Sequence, residues 1–252
     1  MAHPTPDGRT AVVTGAASGI GEAVARQLVA DGARVALLAR RKDRLERLAA
    51  ELGPNALAVP ADVTDPASVD AARQQVHTAL GRVDLVVNAA GVMLPNPVDD
   101  GRIDEWTRMI DTNLTGVLHV VRAFGPDLVA AAAAGATADL LNVSSIGAHV
   151  VFPNYAVYGA TKAAVTQLSA ALRSEYGPRD VRVTTVEPGL TDTELGSHID
   201  NPVLGPDGQL GAMFDAIGAL SPADVADLVG YVVGRPRHVN LRHVVVLPTR
   251  QA

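Results

Sequence analysis

The chain has no cysteine. Disulfides, thiolate nucleophiles and Cys-bearing zinc sites are therefore excluded, and a cytoplasmic location is the expectation that fits. Aromatic residues are scarce: three Phe, four Tyr and one Trp among 252. A core for such a chain is built from Ala, Val and Leu, small enough for helices to lie close on a sheet. Basic charge falls short of acidic, with 21 Lys and Arg against 27 Asp and Glu, for a net charge of −6. That speaks against a nucleic-acid or anionic-membrane surface. No uninterrupted apolar stretch approaches the ~18 residues of a membrane span, and the N-terminus lacks the apolar segment of a signal peptide. The seven His are scattered, none with a second ligand at metal spacing, so no metal is expected.

What the chain does have is a regular alternation of strand and helix. Short apolar runs at 10–14, 34–38, 56–59, 83–87, 140–143, 181–186 and 244–247 read as strands. Between them, amphipathic or capped stretches read as helices: 20–30, a polar one stopped by Gly53-Pro54, 66–80 with Asp65 as N-cap, 103 to about 124 in one or two pieces, 157 to about 177, and 222–233 behind Ser221. The strands are apolar throughout rather than alternating, so both faces are covered. The expected fold is α/β: a doubly wound parallel sheet of about seven strands with helices on both faces, forming a single domain over 1–252. Residues 1–9 read as a flexible tail. Residues 190–220 read as a mobile segment with one or two short helices, the expected substrate lid.

Several constellations fall at strand ends, where ligands bind in such sheets. Gly15, Gly19 and Gly21, with Ala17, Ser18 and Ile20 between them, join a buried strand to a helix. Glycine admits a close backbone approach, and the helix N-terminus offers unpaired N–H groups to phosphate. The tip of the second strand carries Arg40, Arg41 and Lys42 and no carboxylate. A ribose 2′-phosphate is attracted there, whereas an unphosphorylated ribose loses its acceptor, so NADP(H) is the predicted cofactor. Asp62 and Val63 follow the third strand, as edge of an adenine site or as turn cap. Asn88, Ala89, Ala90 and Gly91 end the fourth, and Ser144 and Ser145 end the fifth. Tyr158 and Lys162, four apart, share one helix face. An ammonium beside a phenol is expected to pull its pKa below the usual value. Alone, the pair reads equally as a surface Tyr over a Lys stem.

Taken together in this order, Thr14-Gly-x-x-x-Gly-Ile-Gly21, Asn88-Ala-Ala-Gly91, Asn113, Ser145 and Tyr158-x-x-x-Lys162 resemble the NADP-using, so-called classical branch of the short-chain dehydrogenase/reductase family. The resemblance runs from about residue 10 to 248. It implies a Rossmann-like sheet in the order 3-2-1-4-5-6-7, usually in a homotetramer or homodimer. By that resemblance Tyr158 is the acid/base, Lys162 holds the nicotinamide ribose, Ser145 orients a carbonyl, and Asn113 links Lys162 to a water chain. Pro188, Gly189, Thr191 and Thr193 match a loop touching carboxamide and phosphates, and Arg40 the position that reads the 2′-phosphate. Ala89 and Glu187 stand where the family commonly has Asn. A finer likeness is to 3-hydroxy acid/serine dehydrogenases and clavulanate-type aldehyde reductases.

The activity implied is reversible hydride transfer between a carbonyl and an alcohol on a small molecule. A 3-oxoacyl-type reductase, a cofactor-sensing binding protein and a lyase or epimerase are the alternatives. Met93, Leu94, Ser145, Ile146, Tyr155 and Leu195 are the expected substrate-pocket residues, with Val92 and Val151 nearby. Tyr155 has Gly159 where a Lys partner would stand and reads as a pocket wall. His149 reads as a substrate contact or a solvated loop residue.

Overall fold

The computed structural model describes residues 8–251. Seven parallel strands form one sheet in the order β3-β2-β1-β4-β5-β6-β7. They are β1 Thr10–Thr14, β2 Arg34–Ala39, β3 Ala56–Pro60, β4 Leu85–Asn88, β5 Ala138–Val143, β6 Val181–Pro188 and β7 His243–Val246. The helices are α1 Gly19–Ala30, α2 Lys42–Leu52, α3 Pro66–Leu80, α4 Ile103–Ile110, α5 Gly116–Ala133, α6 Ala156–Tyr176, α7 Gln209–Ile217 and α8 Pro222–Val233.

Period-two side-chain alternation sorts the core into two layers. Val12, Val86, Leu140 and Val183 face α3, α5 and α6, where Val76, Phe124 and Val165 meet them. Val13, Val87, Leu141 and Val186 face the other way, onto Val24 and Leu28 of α1, Leu45 of α2 and Val229 of α8. Burying each such Leu or Val contributes about 1.5–3 kcal/mol. The sheet edge is less covered: β7 alternates exposed and half-buried residues.

Local chemistry sets the ends of elements. Asp65 accepts the Ala67 amide and caps α3. Ser221 and Asp224 form a reciprocal capping box on α8. Several boundaries depart from expectation, three of them with a visible cause or consequence. Val83 is buried, but β4 starts at Leu85; the bend falls at Arg82, and the Asp84 carboxylate accepts Arg9 Nε at 2.7 Å. Arg9, assigned from sequence to the tail, also reaches Asp139 at 2.6 Å and is anchored; residues 1–7 of that tail lie outside the described residues. The α5 helix passes through Pro126 and ends at Ala133, nine residues beyond the expected end, carried by an Ala-rich turn of high helix propensity.

A π turn, Asp111–Thr115, joins α4 to α5. The continuous run Ile103–Ala133 is, by length and composition, apolar enough to cross a membrane. Of its most apolar window, 61% is buried inside the fold, as in the core helix of an α/β layer.

Candidate functional site

A cleft of about 330 Å³ crosses the carboxyl ends of the strands. Its floor is the β1–α1 turn. Gly15 has φ +69°, and a methyl there would lie 2.8 Å from the Ala89 oxygen and the Ala90 nitrogen. A methyl on Gly21 would run into the Gly15 carbonyl. Only glycine permits both approaches. Thr14 Oγ1 accepts the Ala89 and Ala90 amides, each at 3.1 Å, and ties the two strand ends together where Ala89 offers no side chain. No side chain caps the N-terminus of α1, so its first-turn N–H groups face the cleft beside Ala17, Ser18, Gly19 and Ile20. A cradle that a Cβ would fill and an uncapped helix terminus fit a pyrophosphate.

At the far end, Arg40, Arg41, Asp62 and Val63 line the cleft. Among the described residues Arg40 has no ion-pair or hydrogen-bond partner. Arg41 is committed: it donates to Ser18 Oγ at 2.7 Å and to Glu194 at 2.8 Å. Asp62 Oδ1 accepts the Thr64 amide and hydroxyl, so the turn-cap reading holds for that oxygen.

Tyr158 and Lys162 stand on α6 at the centre, 8% and 6% exposed. Ser145 opens the turn after β5, and its Oγ accepts the Gly147 amide at 3.0 Å. The same hydroxyl and the Tyr158 ring edge both border Gly147, near enough for Ser145 to favour the phenolate. Burial nevertheless pushes Tyr158 up to about 12, against the lowering influence of Ser145 and with help from Tyr155. This corrects the expectation that Lys162 lowers it. Lys162 Nζ sits 5.8 Å from the phenol ring and donates to the Val143 carbonyl at 3.0 Å. Burial draws Lys162 itself down to about 8.

Three of the expected residues stand behind the cleft wall. Asn88 donates to Asn142 Oδ1 at 2.9 Å, and Asn142 in turn to Ser169 Oγ. Leu94 packs with Val92, Met109 and Tyr158. Asn113, in the π turn, accepts the Val92 amide at 2.8 Å and donates to the Val92 carbonyl and to Thr161 Oγ1. Its amide thus fastens the loop after β4 to α6. Gly91, Met93, Ile146, Tyr155, Pro188, Gly189, Thr191, Thr193 and Leu195 do line the cleft. Val151 does not; it is 92% exposed.

Sequence reasoning missed, among other lining residues, Phe152, His198, Leu210, Met213, Phe214 and Gln251. Gln251 accepts the Leu190 amide at 2.8 Å from the far end of the chain. Nothing local marks such a contact. The segment 190–220 is built around Ile199, Leu204 and Leu210. It is fastened to the rest of the fold by Arg102–Asp200, Asn201–Asn96 and Glu194 with Arg41 and Arg44. His149 is turned from the cleft toward the buried Glu187, where His243 also arrives.

The short chain dehydrogenase family matches residues 9–203. An uncharacterized oxidoreductase of Staphylococcus aureus (strain MRSA252) is 36% identical over 241 residues, 95% of this chain and 97% of its own. Among solved structures, the closed form of serine dehydrogenase complexed with NADP+ aligns with TM-score 0.89 at 33% identity over 96% of both chains. A 3-ketoacyl-(acyl-carrier-protein) reductase from Brucella melitensis complexed with NADH aligns with TM-score 0.88 at 32% identity, over 98% of this chain and 99% of that one.

Proposed function

The chain belongs to the short-chain dehydrogenase family of oxidoreductases, and from that premise we propose that it uses NADP(H) to interconvert a neutral aldehyde or ketone and its alcohol. The observation that carries this reading is the Tyr158 phenol, beside Ser145 and one helical turn from Lys162, with all three side chains lining the cleft. The nicotinamide supplies or accepts the hydride when bound. Gly15, Gly19 and Gly21 would hold the cofactor's pyrophosphate at the start of α1, and Lys162 and Asn113 frame the loop at Gly91.

In reduction, Ser145 and Tyr158 donate to the carbonyl oxygen, and Tyr158 gives it a proton as negative charge develops. A preorganised donor of this kind is worth about 3–4 kcal/mol. In oxidation Tyr158 accepts the proton. The preference for NADP(H) over NAD(H) is supported by Arg40, which lines the far end with no partner among the described residues, and by the absence of a carboxylate at the tip of β2.

The substrate half is walled by Met93, Phe152, Tyr155, Leu195, Met213 and Phe214. These six side chains carry no charge, and His198 beside them is held below the usual imidazole value by burial and then by Arg108 and Arg41 nearby. This largely apolar wall favours uncharged carbonyl compounds over hydroxy acids and serine. The exposed Ile103, Ile110 and Leu118 on the α4–α5 run support a homodimer or homotetramer as part of the proposal.

Nicotinamide absorbance with matched neutral and carboxylate-bearing substrates tests the reading. Turnover of neutral aldehydes or ketones with kcat/KM higher for NADPH than for NADH is expected, and Arg40→Asp should reduce that ratio. A ratio below one in the wild type, or turnover confined to hydroxy acids, contradicts it.

A further inference from the structure

Glu187 occupies the penultimate position of β6 and is fully buried. Its two oxygens have different surroundings. Oε1 accepts the Thr166 hydroxyl at 2.6 Å. Oε2 is buried with no backbone, amide or hydroxyl donor on it. Two imidazole nitrogens face it instead, His149 Nε2 and His243 Nε2, each at 2.8 Å. The three ligand atoms lie within 4.8 Å of one another. The rings are 5.5 Å apart and tilted by 45°, so neither stacks on the other and both point their nitrogens inward.

We propose that His149, Glu187 and His243 bind one divalent first-row transition ion. The donor set is two neutral nitrogens and one anionic oxygen, the mixture that zinc and its neighbours take. With bonds of about 2.1 Å, a 2.8 Å ligand spacing subtends roughly 80–90° at the metal, the angle of adjacent octahedral positions. Water fills the remaining positions on the open side, where the two His side chains are 46% and 33% exposed. Thr166 serves the outer shell by fixing the carboxylate from α6.

The ligands come from three places: the turn after β5, the end of β6 and the start of β7. His149 lies just past the Ile146–Ala148 turn that Ser145 opens. An ion here therefore fastens the turn that presents Ser145 to the last two strands. It stands outside the cleft, since none of the three residues lines it. The role is bracing, and it is independent of the hydride-transfer reading.

The test uses the untagged full chain, stripped with EDTA and dialysed, and Zn2+ as the probe. Calorimetry should give one equivalent per chain, and saturating Zn2+ should raise Tm by about 5 °C. His149→Ala and His243→Ala, both at exposed positions, should each lose the equivalent and the Tm rise while keeping the apo melting curve. Glu187→Gln keeps the shape and removes the charge, and should weaken binding at least tenfold. If the wild type takes up no Zn2+, or the double His149→Ala/His243→Ala variant takes up as much, the site is a pair of imidazoles hydrogen-bonded to a carboxylate and the proposal fails.

Discussion

Glu194 lies 2.8 Å from Arg41, and its other oxygen reaches Arg44. The carboxylate belongs to the segment that follows β6, and both cations to the region after β2. Their pairing latches the two across the cofactor end of the cleft. The hydrogen bonds from Arg41 and then Arg44 hold Glu194 down at about 2. A carboxylate depressed in the folded state contributes above its unfolded value and loses that contribution as pH falls toward the folded one. The latch is thus intact at neutral pH and fails only in acid.

Glu194 also neutralises cations that a 2′-phosphate would meet. Glu194→Ala is expected to lower KM for NADPH by up to about fivefold, the scale of one exposed ion pair. KM for NADH should change little. Steady-state kinetics with each nucleotide checks this; equal effects on both would assign Glu194 to lid closure alone.

Tyr158→Phe removes the proton-handling hydroxyl and leaves the ring. Turnover should drop roughly 10²–10⁴-fold, with NADPH affinity by fluorescence titration within twofold of wild type. Near wild-type turnover would remove Tyr158 from the mechanism.

Lys162 gives a pH signature in stability. Its folded value of about 8 lies below the unfolded value of 10.5, because burial disfavours the ammonium. Between the two the unfolded chain holds the extra proton, so stability should rise with pH from 8 to 10.5, by up to about 1.4 kcal/mol per unit. Tyr158, at about 12 in the fold against 10 unfolded, works the other way above pH 10. Denaturant melts of the cofactor-free chain across pH 7–10 check the slope, and Lys162→Met should flatten it.

Asn113→Ala strands the buried Val92 amide and carbonyl, both partners of the Asn113 side chain. Unsatisfied groups of this kind cost about 1–3 kcal/mol each. Tm should fall by about 5–10 °C, and the loop at Gly91 should loosen. A calorimetric scan together with KM for NADPH reads both effects.

The architecture was legible because it rests on local pattern. Uninterrupted apolar strands announce a sheet covered on both faces, and capping residues such as Asp65 and Ser221 mark helix starts through bonds spanning two or three residues. The pairing of Tyr158 with Lys162 follows from helical spacing, and the glycine turn from its place between a strand and a helix. Tertiary structure decided what depends on distant residues. Burial, which no window of sequence measures, raised Tyr158 when the neighbouring ammonium alone argued the reverse. Arg40 and Arg41 look alike in the chain, yet a carboxylate 153 residues away claims one, while the other has no partner among the described residues. His149, Glu187 and His243 are scattered along the sequence. Parallel pairing of β5, β6 and β7 is what brings their three ligand atoms within 4.8 Å of one another.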